Sequence, residues 1–119
     1  MHEFGIMSQL VEAVEQKAQE LQARRILVVN LLIGDRMGLV ENSLQFYFDM
    51  LTAGSVLEGA VLHLRYVKTH FYCTPCAATY APVGANFQCP TCGAVGEITL
   101  TGSEFLVESL EIEVDDKGK

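Results

Sequence analysis

The stretch "CTPCAATYAPVGANFQCPTC", from Cys73 to Cys92, contains all four cysteines of this 119-residue chain. They form two Cys-x2-Cys pairs separated by twelve residues. Each pair can make a tight turn in which both thiolates face one ion, and two such turns together close a tetrahedral shell. The spacing therefore predicts a zinc-ribbon-like site for Zn(II), with Cys73, Cys76, Cys89 and Cys92 as ligands.

A shell of four thiolates leaves no open position for water or substrate, so the spacing indicates a structural ion rather than a catalytic one. Iron in a rubredoxin-like site would use similar ligands, and the spacing by itself does not exclude it. Disulfide or redox chemistry is a third alternative, and it is disfavoured if the protein is kept reduced in the cytoplasm.

The segment around the cysteines carries almost no charge. Between Thr69 and Ser103 there is no Lys, Arg or Asp, and Glu97 is the one Glu. A zinc ribbon that binds nucleic acid needs basic side chains to meet phosphate, so that alternative function is disfavoured. The formal net charge of -7 and a pI near 4.8 likewise weigh against nucleic acid and anionic membranes as partners.

The flanking sequence predicts an α+β fold. Apolar residues recur at helical spacing in 6–21, and a second helix is predicted in 41–54, capped by Asn42 or Ser43. Strands are predicted in 24–34, buried on both faces or nearly so, in 59–67 and in 104–114. Gly34 and Gly38 flank "DRM" in a turn.

We thus expect a small three-stranded mixed sheet with two helices, plus an inserted zinc-ribbon-like domain. The predicted boundaries give a discontinuous domain, 1–68 and 104–119, and an inserted zinc-binding domain, 69–103, joined by two hinge-like connections. The start has no signal-peptide pattern, and no apolar run approaches the roughly 20 residues that span a bilayer. A cytoplasmic protein is expected.

The opening "MHEFGIMSQL", Met1 to Leu10, offers a second group of metal ligands. The amine of Met1, the amide nitrogens of His2 and Glu3, and the His2 imidazole can form a square-planar set that suits Ni(II) or Cu(II). The Glu3 carboxylate can add an oxygen ligand or orient the imidazole. We expect Met1 to be retained because His2 is bulky. The simpler alternative is that these residues fray in solvent.

Taken in order, "MHE", the amphipathic helix, "RRILVVNLLIG", "EGAVLHL", the two cysteine pairs and "ESLEIE" resemble the HypA family of hydrogenase nickel-incorporation proteins. The resemblance covers nearly the whole chain. It implies a nickel metallochaperone, with His2 and Glu3 as the nickel motif and the four cysteines as zinc ligands. It also implies a nickel-binding domain that is discontinuous in sequence.

The resemblance further implies a HypB-type GTPase partner and delivery of Ni(II) to the large subunit of NiFe hydrogenase, with urease maturation factors as additional partners in some members. Certain members complete the nickel site with a His from the zinc domain. No His follows His70 here, so His70 is the candidate accessory ligand.

Two other classes of function are weighed against this one. An enzyme using His2 and Glu3 as acid and base is disfavoured by the closed thiolate shell and the small core, so we expect no catalysis. A zinc-ribbon interaction scaffold without nickel transfer is the remaining alternative, and it predicts no nickel binding at the N-terminus.

Overall fold

The computed structural model describes residues 3–115, so Met1, His2 and residues 116–119 lie outside the description. Two helices, α1 (Glu3–Glu20) and α2 (Glu41–Thr52), are accompanied by six strands: β1 (Ala23–Gly34), β2 (Val61–Val67), β3 (Phe71–Cys73), β4 (Ala78–Tyr80), β5 (Glu97–Ile98) and β6 (Phe105–Val114). The strands form two three-stranded sheets, ordered β2-β1-β6 and β4-β3-β5. The predicted α+β class is confirmed.

The described chain divides into two units. One comprises 3–31, 39–64 and 107–115, and the other comprises 32–38 and 65–106. The second unit thus includes the turn after β1 as well as the cysteine segment. The domain boundaries predicted from the sequence, at 68/69 and 103/104, stay a prediction.

The core of the first unit is built from one face of each helix and from β1. Residues at helical spacing are buried along α1 (Met7, Leu10, Val11, Val14, Ala18) and α2 (Leu44, Phe48, Thr52). Burial of such stripes supplies most of the stability of short helices. Among residues 3–115, neither helix is long and apolar enough to cross a bilayer.

Strand β1 is less buried than its apolar sequence suggested. Ile26, Val29, Leu31 and Ile33 are buried, whereas the intervening residues 27, 28, 30 and 32 are only half-buried. On β1, Asn30 donates a hydrogen bond to Ser109 Oγ at 3.0 Å, and its Oδ1 lies 3.3 Å from His63 Nδ1. This polar row across three strands explains why the second face of β1 is half-buried and the first is fully buried.

In the second unit, the turn Asp35–Met37 holds both connections to the cysteine segment. The Asp35 carboxylate accepts a hydrogen bond from Thr69 N at 3.0 Å. Arg36 donates from its backbone N to Gly102 O at 2.9 Å and from Nη2 to Thr99 O at 2.8 Å. The sequence explained this segment by turn geometry alone, but it also bonds to two connecting segments that are distant from each other in the chain.

Gly34 is required by a close approach of two backbones. A Cβ added at Gly34 would lie 2.0 Å from the carbonyl carbon of Gly102, closer than any side chain allows. We expect Gly34→Ala to lower the free energy of unfolding by about 1–3 kcal/mol, because the backbone must move apart. Urea denaturation followed by circular dichroism measures this change.

The matched control is Gly5→Ala in α1, where an added Cβ meets nothing within 4 Å. This variant should be stabilised by up to about 1 kcal/mol, since Ala favours helix over Gly. Equal stabilities for the two variants would contradict the close approach at Gly34.

Candidate metal centre

The four predicted zinc ligands come together in the structure. The sulfur atoms of Cys73, Cys76, Cys89 and Cys92 all lie within 4.8 Å of one another, and they form the one such His, Cys, Asp and Glu cluster found within residues 3–115. Cys73 and Cys92 are 3.4 Å apart at sulfur, and Cys76 and Cys89 are 4.0 Å apart. All four cysteines are free of disulfides.

Each pair is shaped by a residue in the left-handed region that directly follows its second cysteine. Ala77 has φ 52° and Gly93 has φ 82°. Gly93 N donates to Cys89 O at 2.8 Å, and Ala77 N donates to Thr74 O at 3.2 Å. Gly93 adopts this conformation easily because it has no Cβ, whereas Ala77 adopts it despite its Cβ, which indicates that the surrounding structure imposes the turn.

Short strands and aromatic rings hold the two turns in place. Antiparallel pairing of β3 with β4 sets Cys73 opposite Ala78. The Tyr80 hydroxyl donates to Phe87 O at 2.6 Å and accepts from Gly96 N at 2.8 Å. Phe71 stacks on Phe87 with ring centroids 5.6 Å apart. The stacking of Phe87 on Phe71 therefore places the segment before the second cysteine pair against β3.

Backbone N–H groups favour a thiolate at the first cysteine of the second pair. The N–H groups of Cys92 and then Thr91 donate to the Cys89 sulfur and lower its pKa to about 6. At Cys73 the N–H of Cys76 acts in the same direction, but burial and the Cys92 thiol outweigh it and raise the pKa. Hydrogen bonds with the sulfurs of Cys92 and Cys73, followed by burial, raise the pKa of Cys76 to about 12.

The donor set fits a single tetrahedral metal ion. With Zn–S bonds of about 2.3 Å, the sulfurs of a tetrahedral site lie about 3.8 Å apart, which agrees with the spread of sulfur distances in this cluster. A bound cation also favours the thiolate form of each ligand, against the hydrogen bonds with Cys92 and Cys73 and the burial that raise the pKa of Cys76. The cluster can therefore hold one ion with all four protein ligands.

The N-terminal candidate site is described only at Glu3, because Met1 and His2 lie outside the described residues. Glu3 begins α1, and its Oε2 accepts a hydrogen bond from Val40 N at 3.0 Å. Val40 is the N-cap residue of α2 and makes no side-chain cap. Glu3 thus satisfies a backbone donor at the start of α2, where the sequence predicted a cap from Asn42 or Ser43.

The two described histidines are both engaged by neighbours. His70 Nδ1 lies 2.9 Å from Lys68 O, and its backbone N and O bond to Thr101 and Thr99. A role for His70 as accessory nickel ligand stays a prediction. On β2, His63 Nδ1 lies 3.3 Å from Asn30 Oδ1, so its ring belongs to the polar row across the first sheet.

Two interactions at the candidate sites were not predicted from the sequence. Tyr80 has no distinguishing pattern, although its position among apolar neighbours near the cysteines gave a weak signal for a buried hydroxyl that needs partners. The bond from Glu3 to Val40 joins residues 37 apart in sequence, and no local pattern could have indicated it.

Comparison with known proteins gives consistent matches over the whole chain. A family model described as "Hydrogenase/urease nickel incorporation, metallochaperone, hypA" matches residues 1–112. The hydrogenase maturation factor HypA of Caldanaerobacter subterraneus subsp. tengcongensis is 36% identical over 114 residues, which cover 95% of this chain and all of the relative. The HypA of Roseiflexus sp. is 40% identical over 116 residues, covering 97% of this chain and 94% of the relative.

Solved structures agree with these matches. The solution structure of the Ni metallochaperone HypA from Helicobacter pylori superposes with a TM-score of 0.67 at 27% identity, covering 97% of this chain and all of that chain. A second solution structure, of a HypA protein, gives a TM-score of 0.73 at 27% identity, covering 97% of this chain and 98% of that one.

Loss of one thiolate should empty the cysteine cluster. We expect Cys89→Ser to reduce bound zinc from one ion per chain to well below half, because three ligands hold zinc far more weakly and the unit lacks a large core of its own. Metal analysis and circular dichroism measure zinc content and folding. The control is Thr91→Ser, which keeps its backbone N–H. Full zinc content in Cys89→Ser would contradict the four-thiolate assignment.

Zinc binding should release more protons at low pH than at neutral pH. Since the pKa of Cys89 is about 6, its thiol must lose a proton at about pH 5.5 but is already a thiolate at about pH 7.5. We expect about 0.7 more proton released per zinc at the lower pH. Calorimetry of metal-free protein in two buffers with different ionisation enthalpies measures this number.

Co(II), which also takes four thiolates, serves as the control for this measurement because the additional proton comes from the protein. The same difference between the two pH values is expected with either metal. Equal proton release at both pH values would mean that the N–H groups of Cys92 and Thr91 do not stabilise the Cys89 thiolate.

Proposed function

The chain belongs to the HypA family of hydrogenase/urease nickel-incorporation metallochaperones, and from this premise we propose that it binds Ni(II) at Met1, His2 and Glu3 and delivers the ion to the large subunit of NiFe hydrogenase. The family is one of maturation factors and not of catalysts, as predicted from the sequence. The observation that carries the proposal is the family match over residues 1–112, which includes both the N-terminal motif and all four cysteines.

The geometry at Glu3 supports a nickel site at the start of α1. The bond from Glu3 Oε2 to Val40 N anchors the residue that directly follows His2. One carboxylate oxygen is engaged in this way, so the other is left to ligate nickel or to accept a hydrogen bond from the imidazole. Nitrogen donors from Met1 and His2 suit Ni(II), and they are harder ligands than thiolate sulfur.

Release of the ion follows from this difference in ligand softness. In this proposal the acceptor adds its own ligands to the ion before those of the carrier leave. Thiolates on the hydrogenase large subunit, softer than the nitrogens of the motif, then draw the nickel onward by stepwise exchange. The transfer exchanges the coordinate bonds of the carrier for those of the acceptor and leaves every covalent bond of the carrier intact.

The cysteine cluster has a separate, structural role in this proposal. We assign Zn(II) to it, held by Cys73, Cys76, Cys89 and Cys92, because four thiolates close the coordination shell and leave no position for an incoming ligand. When bound, the ion supplies the stability that the few buried side chains of this segment, chiefly Cys73, Tyr80 and Cys89, do not provide alone.

The partners included in the proposal are a HypB-type GTPase and the hydrogenase maturation machinery, with urease maturation as a second destination. The family description names both hydrogenase and urease. A cytoplasmic location and the accessory role of His70 also remain parts of the proposal.

Nickel titration by calorimetry on zinc-loaded protein tests the site. We expect tight binding by the chain with its native start, and loss of that binding in His2→Ala and in a variant extended by one residue before Met1, because both remove nitrogen donors. Equal binding by all three proteins would place the nickel site elsewhere. Absence of nickel binding in the native protein is the result expected of an interaction scaffold.

Two substitutions at Glu3 separate ligation from anchoring. Glu3→Gln keeps an amide oxygen that can accept from Val40 N, whereas Glu3→Ala removes the acceptor altogether. If Glu3 ligates nickel as a carboxylate, both variants weaken binding. If it only anchors the motif, Glu3→Gln binds like the native protein and Glu3→Ala does not.

A further inference from the structure

An exposed apolar surface lies directly beside Glu3. Four large side chains in this region are exposed: Phe46 at 63%, Val40 at 56%, Met50 at 49% and Phe4 at 48%. We call these residues, together with Tyr47, the aromatic patch. Exposed apolar side chains that are neighbours are a mark of interaction surfaces, whereas isolated ones are not.

The patch is continuous because its rings contact one another. Phe4 packs edge-on against Tyr47 with ring centroids 5.5 Å apart, and Phe46 packs against Tyr47 at 5.4 Å. Phe46 and Met50 are four residues apart on α2 and therefore share one face of the helix. The Glu3 carboxylate, bonded to Val40 N, borders the patch. Aromatic residues and Met are enriched in the cores of protein interfaces.

We propose that the aromatic patch is the docking surface for the protein that accepts nickel from this chain, an inference that rests on the proposed function. During ligand exchange the acceptor's ligand atoms must reach the ion while the carrier still holds it. The surface of the acceptor must therefore contact the residues that lie next to Glu3. Phe4 follows Glu3 in the chain, and Val40 bonds to Glu3, so these two residues are the first that such a surface meets.

The charged residues of the segment that contains the patch indicate which charge the partner carries. Residues 37–64 contain no Lys or Arg, whereas Glu41 and Asp49 are exposed on α2 itself. Exposed carboxylates on the helix that also carries Phe46 and Met50 fit an acceptor whose apolar contact surface is accompanied by basic side chains. A second copy of this chain fits poorly, because it would bring the same acidic groups against each other.

Binding to a hydrogenase large-subunit precursor tests the inference, with the nickel-loaded full chain as carrier. We expect Phe46→Ser and Met50→Ser to weaken acceptor binding by about ten-fold or more, as truncation of an interface anchor does. Nickel affinity and helix content should stay unchanged, since both side chains are largely exposed. The control is Val61→Ser on β2, which is 48% exposed and lies outside the patch. It should bind the acceptor like the native protein.

Several outcomes would overturn the inference. The inference is wrong if Phe46→Ser and Met50→Ser both bind the acceptor as tightly as the native protein. It is also wrong if these variants lose nickel affinity, because the patch would then be part of the metal site. Weakened self-association or weakened GTPase binding, with acceptor binding intact, assigns the patch to another partner. If the native protein transfers nickel and the patch variants transfer it equally well, the inference alone fails. If the native protein binds or transfers no nickel, the proposed function fails as well.

Discussion

Four sulfur atoms within reach of a single ion are the constraint around which the second unit is organised. Cys73 and Cys89 are buried with Tyr80, and few other side chains of that unit are. Ordering a backbone costs about 1–2 kcal/mol per residue, and so small a core recovers little of it. The left-handed residues Ala77 and Gly93, the hydroxyl of Tyr80 and the short strands therefore act together to present thiolates to a metal.

The first unit is stabilised in another way, by the buried faces of α1 and α2 and by β1. Glu3 is the described residue of this unit that belongs to the proposed nickel motif. It lies in the first turn of α1 and accepts a hydrogen bond from Val40, the residue that precedes α2. This bond joins the first turn of α1 to the start of α2. It also places Glu3, the described residue of the proposed nickel motif, beside the aromatic patch.

The two proposed metal sites differ in the way that their functions require. The cysteine cluster is closed, soft and internal to one unit, which suits an ion that is kept. The proposed N-terminal donors are mostly nitrogen, which suits an ion that is passed on to softer thiolates. Hydrogen bonds from the N–H groups of Cys92 and Thr91 to the Cys89 sulfur favour the thiolate form that a zinc ligand takes.

The sequence by itself determined the features that depend on local pattern. Helical spacing located α1 and α2, the apolar run located β1, and the cysteine spacing identified four residues that the structure brings together. Only the tertiary structure decided the contacts between distant segments: Glu3 with Val40, Arg36 with Thr99 and Gly102, and Phe4 with Tyr47. Periodicity and spacing describe a segment's own geometry, whereas these pairings depend on which backbones the packed core brings side by side.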